Sequence, residues 1–168
     1  MTEREIVYKR DLFQPSQTFI EALDLQTGST REIYRSTEEV TDASLSPDGR
    51  QLAFTVRSAK TIEVYLLHIG AAAPTKLTLP NFRLNARPQA MWVATQDALI
   101  LSGAFGEEKG IWRVPLKGDP PQRLKVDADG VVEARLSPDG RTLAYTTQSP
   151  RGRELWMLQG AVKGTDQR

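Results

Sequence analysis

Apolar and polar residues in this chain alternate in short runs separated by turn residues, and helix-face spacing is almost absent. Four of these runs look alike: Ile20-Glu21-Ala22-Leu23, Val64-Tyr65-Leu66-Leu67, Ile111-Trp112-Arg113-Val114 and Leu155-Trp156-Met157-Leu158 follow one another at steps of 44, 47 and 44 residues. Ile33, Leu77 and Leu124 mark a second series at 44 and 47. A small residue, Ala43, Ala90 and then Ala134, marks a third at 47 and 44. Alternation over a few residues, bounded by Gly, Pro, Asn and Asp, predicts strands. A fixed period of this length predicts one supersecondary unit repeated along the chain.

The turns carry the same period. Leu45-Ser46-Pro47-Asp48-Gly49-Arg50 recurs as Leu136-Ser137-Pro138-Asp139-Gly140-Arg141, 91 residues on, and each copy runs into an apolar triplet, Leu52-Ala53-Phe54 or Leu143-Ala144-Tyr145. Pro sets φ at the first corner, Asp suits the second, and Gly accepts the positive φ that follows. That is the chemistry of a hairpin closed by a type I turn and a glycine bulge. Asp48 and Asp139 are therefore read as turn residues rather than metal ligands or catalytic groups. A degenerate third copy, Trp92 to Ala98, precedes Leu99-Ile100-Leu101 and lacks Pro, Asp and Gly in register, so its hairpin is expected to be built differently.

Each unit thus holds four short strands, A to D, which is the signature of a β-propeller blade. The expected fold is all-β: a partial propeller of four-stranded antiparallel blades, forming one domain over residues 1–168. Its units fall at about 1–37, 38–79, 80–126 and 127–168. The first unit shows B, C and D without A. The last shows A, B and C, and the frame puts its D strand where the chain stops. Two complete blades and two partial ones leave pairing edges open. Three resolutions exist: a homo-oligomer that completes the ring, a fragment of a longer protein, or a small four-bladed ring. The first is the expectation, because a symmetric partner satisfies the open edges. The aromatics of the C strands, Tyr65, Trp112 and Trp156, are expected to pack blade against blade.

The Ser-Pro-Asp-Gly turns, the apolar triplets after them and the Ile111 to Leu116 strand resemble the TolB-like β-propeller family, over nearly the whole chain from about Ile6 to Gln159. The resemblance implies a blade and is almost silent about function. Family members include periplasmic translocation proteins, sensor and regulator modules, and propellers attached to peptidases. This chain departs from the family in its middle turn and in its short blade count.

Composition narrows the chemistry. With 22 Lys and Arg against 21 Asp and Glu, the net charge of +1 gives no global steering toward nucleic acid or an anionic membrane. There is no cysteine, which excludes disulfides, zinc–thiolate sites and thiol nucleophiles, and His68 is the sole histidine. His68 ends a C strand and is read as a solvated or hydrogen-bonded strand-end residue. No nucleophile elbow and no phosphate-cradling glycine loop is present. The N-terminus has no signal-peptide apolar region and no run reaches bilayer length, so the chain is expected to be cytoplasmic, or cut from something exported.

Loops that depart from the repeat are the functional candidates. The B–C loops (13–17, 57–60, 104–109, 148–153) and the D–A loop over 80–88 share one propeller face, and the latter is assigned the extra length of the 47-residue step. Phe82, Arg83, Arg87, Arg57, Lys60, Arg151 and Arg153 fall there, with Phe105 nearby, and suit a carboxylate, a phosphate or an acidic peptide. Glu38, Glu39, Asp42, Glu107, Glu108 and Asp127 on the same face dilute that charge. The reading is a non-enzymatic interaction module with no cofactor, binding a protein, a peptide or a small anion. Its rivals are the propeller portion of a larger regulator or peptidase and, further off, a metal-assisted propeller enzyme with an all-carboxylate calcium site.

Overall fold

A computed structural model describes residues 5–14, 16–86, 88–126, 131–137, 139–149 and 152–159. The described residues contain strands and turns and no α-helix, and no helix is long and apolar enough to cross a membrane. The first sheet joins β1 (Glu5–Phe13), β2 (Ser16–Asp24) and β3 (Thr30–Ser36). The second runs β4 (Glu39–Leu45), β5 (Gln51–Arg57), β6 (Ile62–His68) and β7 (Thr75–Lys76). In the third, β8 (Phe82–Leu84) and β9 (Met91–Trp92) both pair with β10 (Ala98–Phe105), which continues to β11 (Glu108–Pro115) and β12 (Gln122–Arg123). The fourth joins β13 (Val131–Leu136), β14 (Thr142–Ser149) and β15 (Gly152–Gln159). Every pairing is antiparallel, and all but that of β8 with β10 join chain neighbours, as in blades read A to D. The first sheet lacks A and the last lacks D among the described residues, so the fold is a partial β-propeller.

The chain divides into two compact units after Leu77, each holding two sheets. In the first unit, Ile20 of β2 packs with Val40, Leu52, Phe54, Val56 and Leu67 of the second sheet. The Phe54 ring lies 4.6 Å from Tyr34 and stacks on Tyr65 at 5.7 Å. Full burial of a side chain such as Phe54 contributes about 1.5–3 kcal/mol. In the second unit, Met91, Val93, Ala98, Ile100 and Ile111 of the third sheet pack with Ala134, Leu143 and Tyr145 of the fourth. Residues of β5 and β10 are buried almost without interruption, because both faces of those strands are covered. The aromatic series behaves unevenly: Tyr65 and Trp112 pack inward, while Trp156 on β15 is half exposed, contrary to the expectation for it.

The repeated turn is braced from within. Ser46 Oγ donates to Asp48 Oδ1 (2.7 Å) and accepts the Gln51 N–H (2.9 Å), and Asp48 Oδ1 accepts the Arg50 N–H (3.0 Å). Ser137, Asp139, Arg141 and Thr142 repeat the three bonds at 2.6, 2.9 and 3.0 Å; Pro138 lies outside the described residues. The glycines stand at φ 70° and 69°. The middle turn corrects the expectation of a different hairpin. Its backbone bonds, Val93 N–H to Ala98 O and Gln96 N–H to Val93 O, match those of Ser46 to Gln51 and Gly49 to Ser46. Gln96 takes the left-handed place at φ 61°, and Thr95 Oγ1 bonds Asp97 Oδ1 at 2.5 Å instead of the Ser–Asp brace.

The 47-residue step also resolves differently from the loop reading. Leu84 pairs with Gly103 as Val40 pairs with Val56, and Trp92 pairs with Leu99 as Leu45 pairs with Leu52. Val40 to Leu84 is 44 residues and Leu45 to Trp92 is 47, so the three extra residues lie inside strand A, within 85–90. Phe82, Arg83 and Leu84 are therefore ladder residues rather than loop. The interruption reaches the next sheet, where Gln89 Oε1 accepts the Ala134 N–H at 2.7 Å.

Glycine at 103 is what admits β8 so closely. A Cβ there would collide with the Arg83 carbonyl oxygen and lie 2.7 Å from Phe82 Cε1. Gly103→Ala is expected to cost about 1–3 kcal/mol as overpacking, a fall of roughly 3–10 °C in melting temperature at this chain length. Thermal denaturation followed by circular dichroism reads it, and an unchanged transition would contradict the close approach.

Candidate functional site

The described candidates stand at hairpin ends. In the first unit, Arg57 closes β5 opposite Glu39 and pairs with it, Nε to Oε2, at 3.1 Å. Lys60 lies exposed in the Ser58–Thr61 turn, which the Ser58 hydroxyl braces by accepting the Thr61 N–H at 3.2 Å. In the second unit, Phe82 and Arg83 of β8 face Phe105 and Ala104 of β10. The Phe82 ring is buried edge-on against Trp112 at 6.2 Å and serves packing. Arg83 is exposed with no ion pair among the described residues, and Arg153, near the start of β15, is the same. Arg87 and Arg151 lie outside the described residues. The acidic neighbour Glu108 is partly neutralised by Arg123 at 3.4 Å. His68 is an exposed strand end, as read.

Two charged arrangements went unread in the sequence. In the first sheet, Arg10 grips Glu21 through two bonds, Nη2 to Oε1 at 2.6 Å and Nε to Oε2 at 3.0 Å. Glu21 is buried, and the Arg10 and Arg35 guanidinium carbons lie 4.3 and 5.0 Å from the Phe19 ring centroid. The strand registers place Arg10 where the second sheet has Val56, and Glu21 where it has Tyr65. A charged pair thus occupies positions that are aliphatic and aromatic in the second sheet. The signal in the sequence was that both positions depart from the apolar pattern together.

The second arrangement is a cleft of about 590 Å³ at the turn end of the third sheet, lined by Asp97, Arg113, Lys117, Asp119 and Pro120 among others. Arg113 Nη2 pairs with Asp97 Oδ2 at 2.6 Å. Asp97 stands where the other two turns carry Arg50 and Arg141, a reversal of charge that was legible in the frame. Among the described residues no group of three or more His, Asp or Glu side chains is placed to hold a metal ion.

The carboxylates in these networks are held below their ordinary range. The Arg10 hydrogen bonds dominate at Glu21, with the Tyr8 hydroxyl adding to them against the cost of burial. The serine hydroxyls dominate at Asp48 and Asp139, followed by the Arg50 and Arg141 N–H groups.

Comparison with known proteins bears on the fold. No family model and no curated protein matches the chain. Among solved structures, TolB from Acinetobacter baumannii superposes with a TM-score of 0.78 at 20% identity, over 94% of this chain and 38% of TolB. A putative TolB from Agrobacterium tumefaciens gives 0.69 at 17% identity, over 93% of this chain and 57% of that one. Prolyl endopeptidases studied for inter-domain dynamics give 0.64 at 11%, over 98% of this chain and 28% of theirs. The chain therefore has a TolB-like β-propeller fold and spans between about two-fifths and three-fifths of the two TolB structures.

The depressed carboxylates predict the acid limb of stability. A carboxyl whose folded pKa lies below its unfolded one contributes stability above the unfolded value, here 4.5 for Glu and 3.8 for Asp. That contribution is lost as pH falls through the folded value. Stability to urea is expected to drop progressively below about pH 4.5, and Glu21→Gln to make the drop shallower. A Glu21→Gln profile parallel to wild type from pH 5 to 3 would count against the Arg10–Glu21 account.

Proposed function

We propose that the protein is a non-enzymatic interaction module of the TolB-like propeller class that binds an anionic peptide, protein segment or small ligand at its B–C and D–A hairpin ends. The observation that carries this reading is that, of the candidate loop cations, Arg83 and Arg153 in the second unit and Lys60 in the first are exposed with no ion pair among the described residues. Arg57 is held by Glu39 and contributes less, and Phe82 positions Arg83 from within the core. Arg87 and Arg151 belong to the same proposed set by their place in the sequence. Planar guanidinium groups suit carboxylates and phosphates bidentately. The module acts by presenting charge from a rigid sheet edge, with no bond made or broken. Cytoplasmic residence belongs to the same reading, and cell fractionation checks it.

A second reading has its own support. The fold neighbours include prolyl endopeptidases, of whose chains this one matches 28%. In that reading the chain is the propeller portion of a larger peptidase or regulator, and the mass of the native protein on an immunoblot decides it.

For the first reading, isothermal titration with a hexaglutamate peptide at low salt is the direct test. Wild type is expected to bind with an affinity that falls as salt rises. Arg83→Ala with Arg153→Ala is expected to weaken binding at least tenfold, since a hydrogen bond to a charged group is worth about 1.5–3 kcal/mol. Equal binding by the double variant would remove these residues from the site.

A further inference from the structure

The repeat supplies a measure of what each sheet face is built to meet. Ile20, Val64, Ile111 and Leu155 occupy one repeat position on the C strands. The first three are 0, 1 and 0% exposed, and Leu155 is 72% exposed. Met157, on the same face of β15, is 75% exposed. The large hydrophobics exposed among the described residues lie in or beside the first and last sheets: Ile6, Leu12, Phe13 and Leu25 at one end, Leu155, Trp156 and Met157 at the other.

The junction inside the first unit shows how such a face is covered. There Ile20 meets Leu52, Phe54, Val56 and Leu67 of the following sheet. The first sheet carries Ile6, Tyr8, Arg10 and Leu23 at those four register positions, on the face turned away from that junction. Its outer face is thus of the covering type, while the outer face of the last sheet is of the covered type.

We propose that the last sheet of one copy is covered by the first sheet of a second copy, so that the chain forms a head-to-tail homo-oligomer through an intermolecular blade junction. This goes beyond the ligand-binding reading and does not depend on it. Charge agrees with the assignment. The covering face carries Arg10 with Glu21, and the covered face carries Glu133 and Arg135 on β13, in line with Leu155 and Met157 across β14. Glu133 is exposed with no ion pair among the described residues, which leaves it available to Arg10. A contact between unlike faces is heterologous, and it gives a finite assembly where the rotation closes.

Light scattering on the full chain tests the contact. Wild type is expected at a multiple of 18.7 kDa. Leu155→Asp with Met157→Asp, and separately Ile6→Asp with Leu12→Asp, are each expected to give a monomer, the dissociation constant rising more than a hundredfold. The decisive arm mixes the two variants. Each retains one intact face, so an equimolar mixture is expected to form a one-to-one pair that neither forms alone. A monomeric wild type at every concentration overturns the proposal, as does an oligomer that survives both variants or one broken only by the β15 changes. Where a double variant loses the wild-type circular dichroism, Met157→Lys and Leu12→Lys replace it. Hexaglutamate titration of the same samples reads the ligand site separately, so either idea can fail alone.

Discussion

Apolar packing of the face of one β-sheet on the next is the interaction on which the rest of the structure depends. The residues of β5 and β10 are buried in succession rather than alternately, the pattern of strands with apolar side chains on both sides. The inner cores, Ile20 with Phe54 in one unit and Ile111 with Leu143 in the other, are junctions of this kind. Turns, caps and ion pairs tune the arrangement. Removal of apolar area from water at the junctions is its main source of stability.

That constraint explains the different character of the terminal sheets. Where the second sheet carries Val56 and Tyr65, the first sheet carries Arg10 gripping Glu21. A bidentate pair with its remaining edges in water is tolerable at an exposed face. The last sheet made no such substitution: Leu155 and Met157 keep the chemistry of an interior position while lying at the surface. The two ends of the chain are therefore not equivalent surfaces, and a polar-centred face and an apolar face have different uses.

Much of the fold was legible because the repeat is a linear signal: strand order, turn positions and the missing A and D strands all follow from the 44- and 47-residue steps. What escaped was information carried by pairing. Phe82-Arg83-Leu84, flanked by Pro80-Asn81 and Pro88, looks like loop, and only its register opposite Gly103 to Phe105 reveals a strand. The middle turn looked foreign because its letters changed, yet Gln96 adopts the glycine's left-handed place and the backbone bonds persist. Of the cations proposed from sequence as loop residues, Arg83 and Arg153 are exposed strand residues of β8 and β15, and Arg57 is tied to Glu39 by a cross-strand pairing that no local pattern announces. The Arg10–Glu21 pair was missed for the same reason: the two residues are 11 apart and meet only across a hairpin.

The interruption of the inner strand at 85–90 has a mechanical consequence. By accepting the Ala134 N–H, Gln89 ties an irregular segment of the third sheet to the innermost strand of the fourth through a single side chain. Solenoid-like stacks communicate mainly through apolar contact between neighbours, so their units can fray one at a time. A directional bond between two inner strands raises the penalty for opening one sheet without the other. The second unit therefore contains a latch, which favours opening of its two sheets together over opening in sequence.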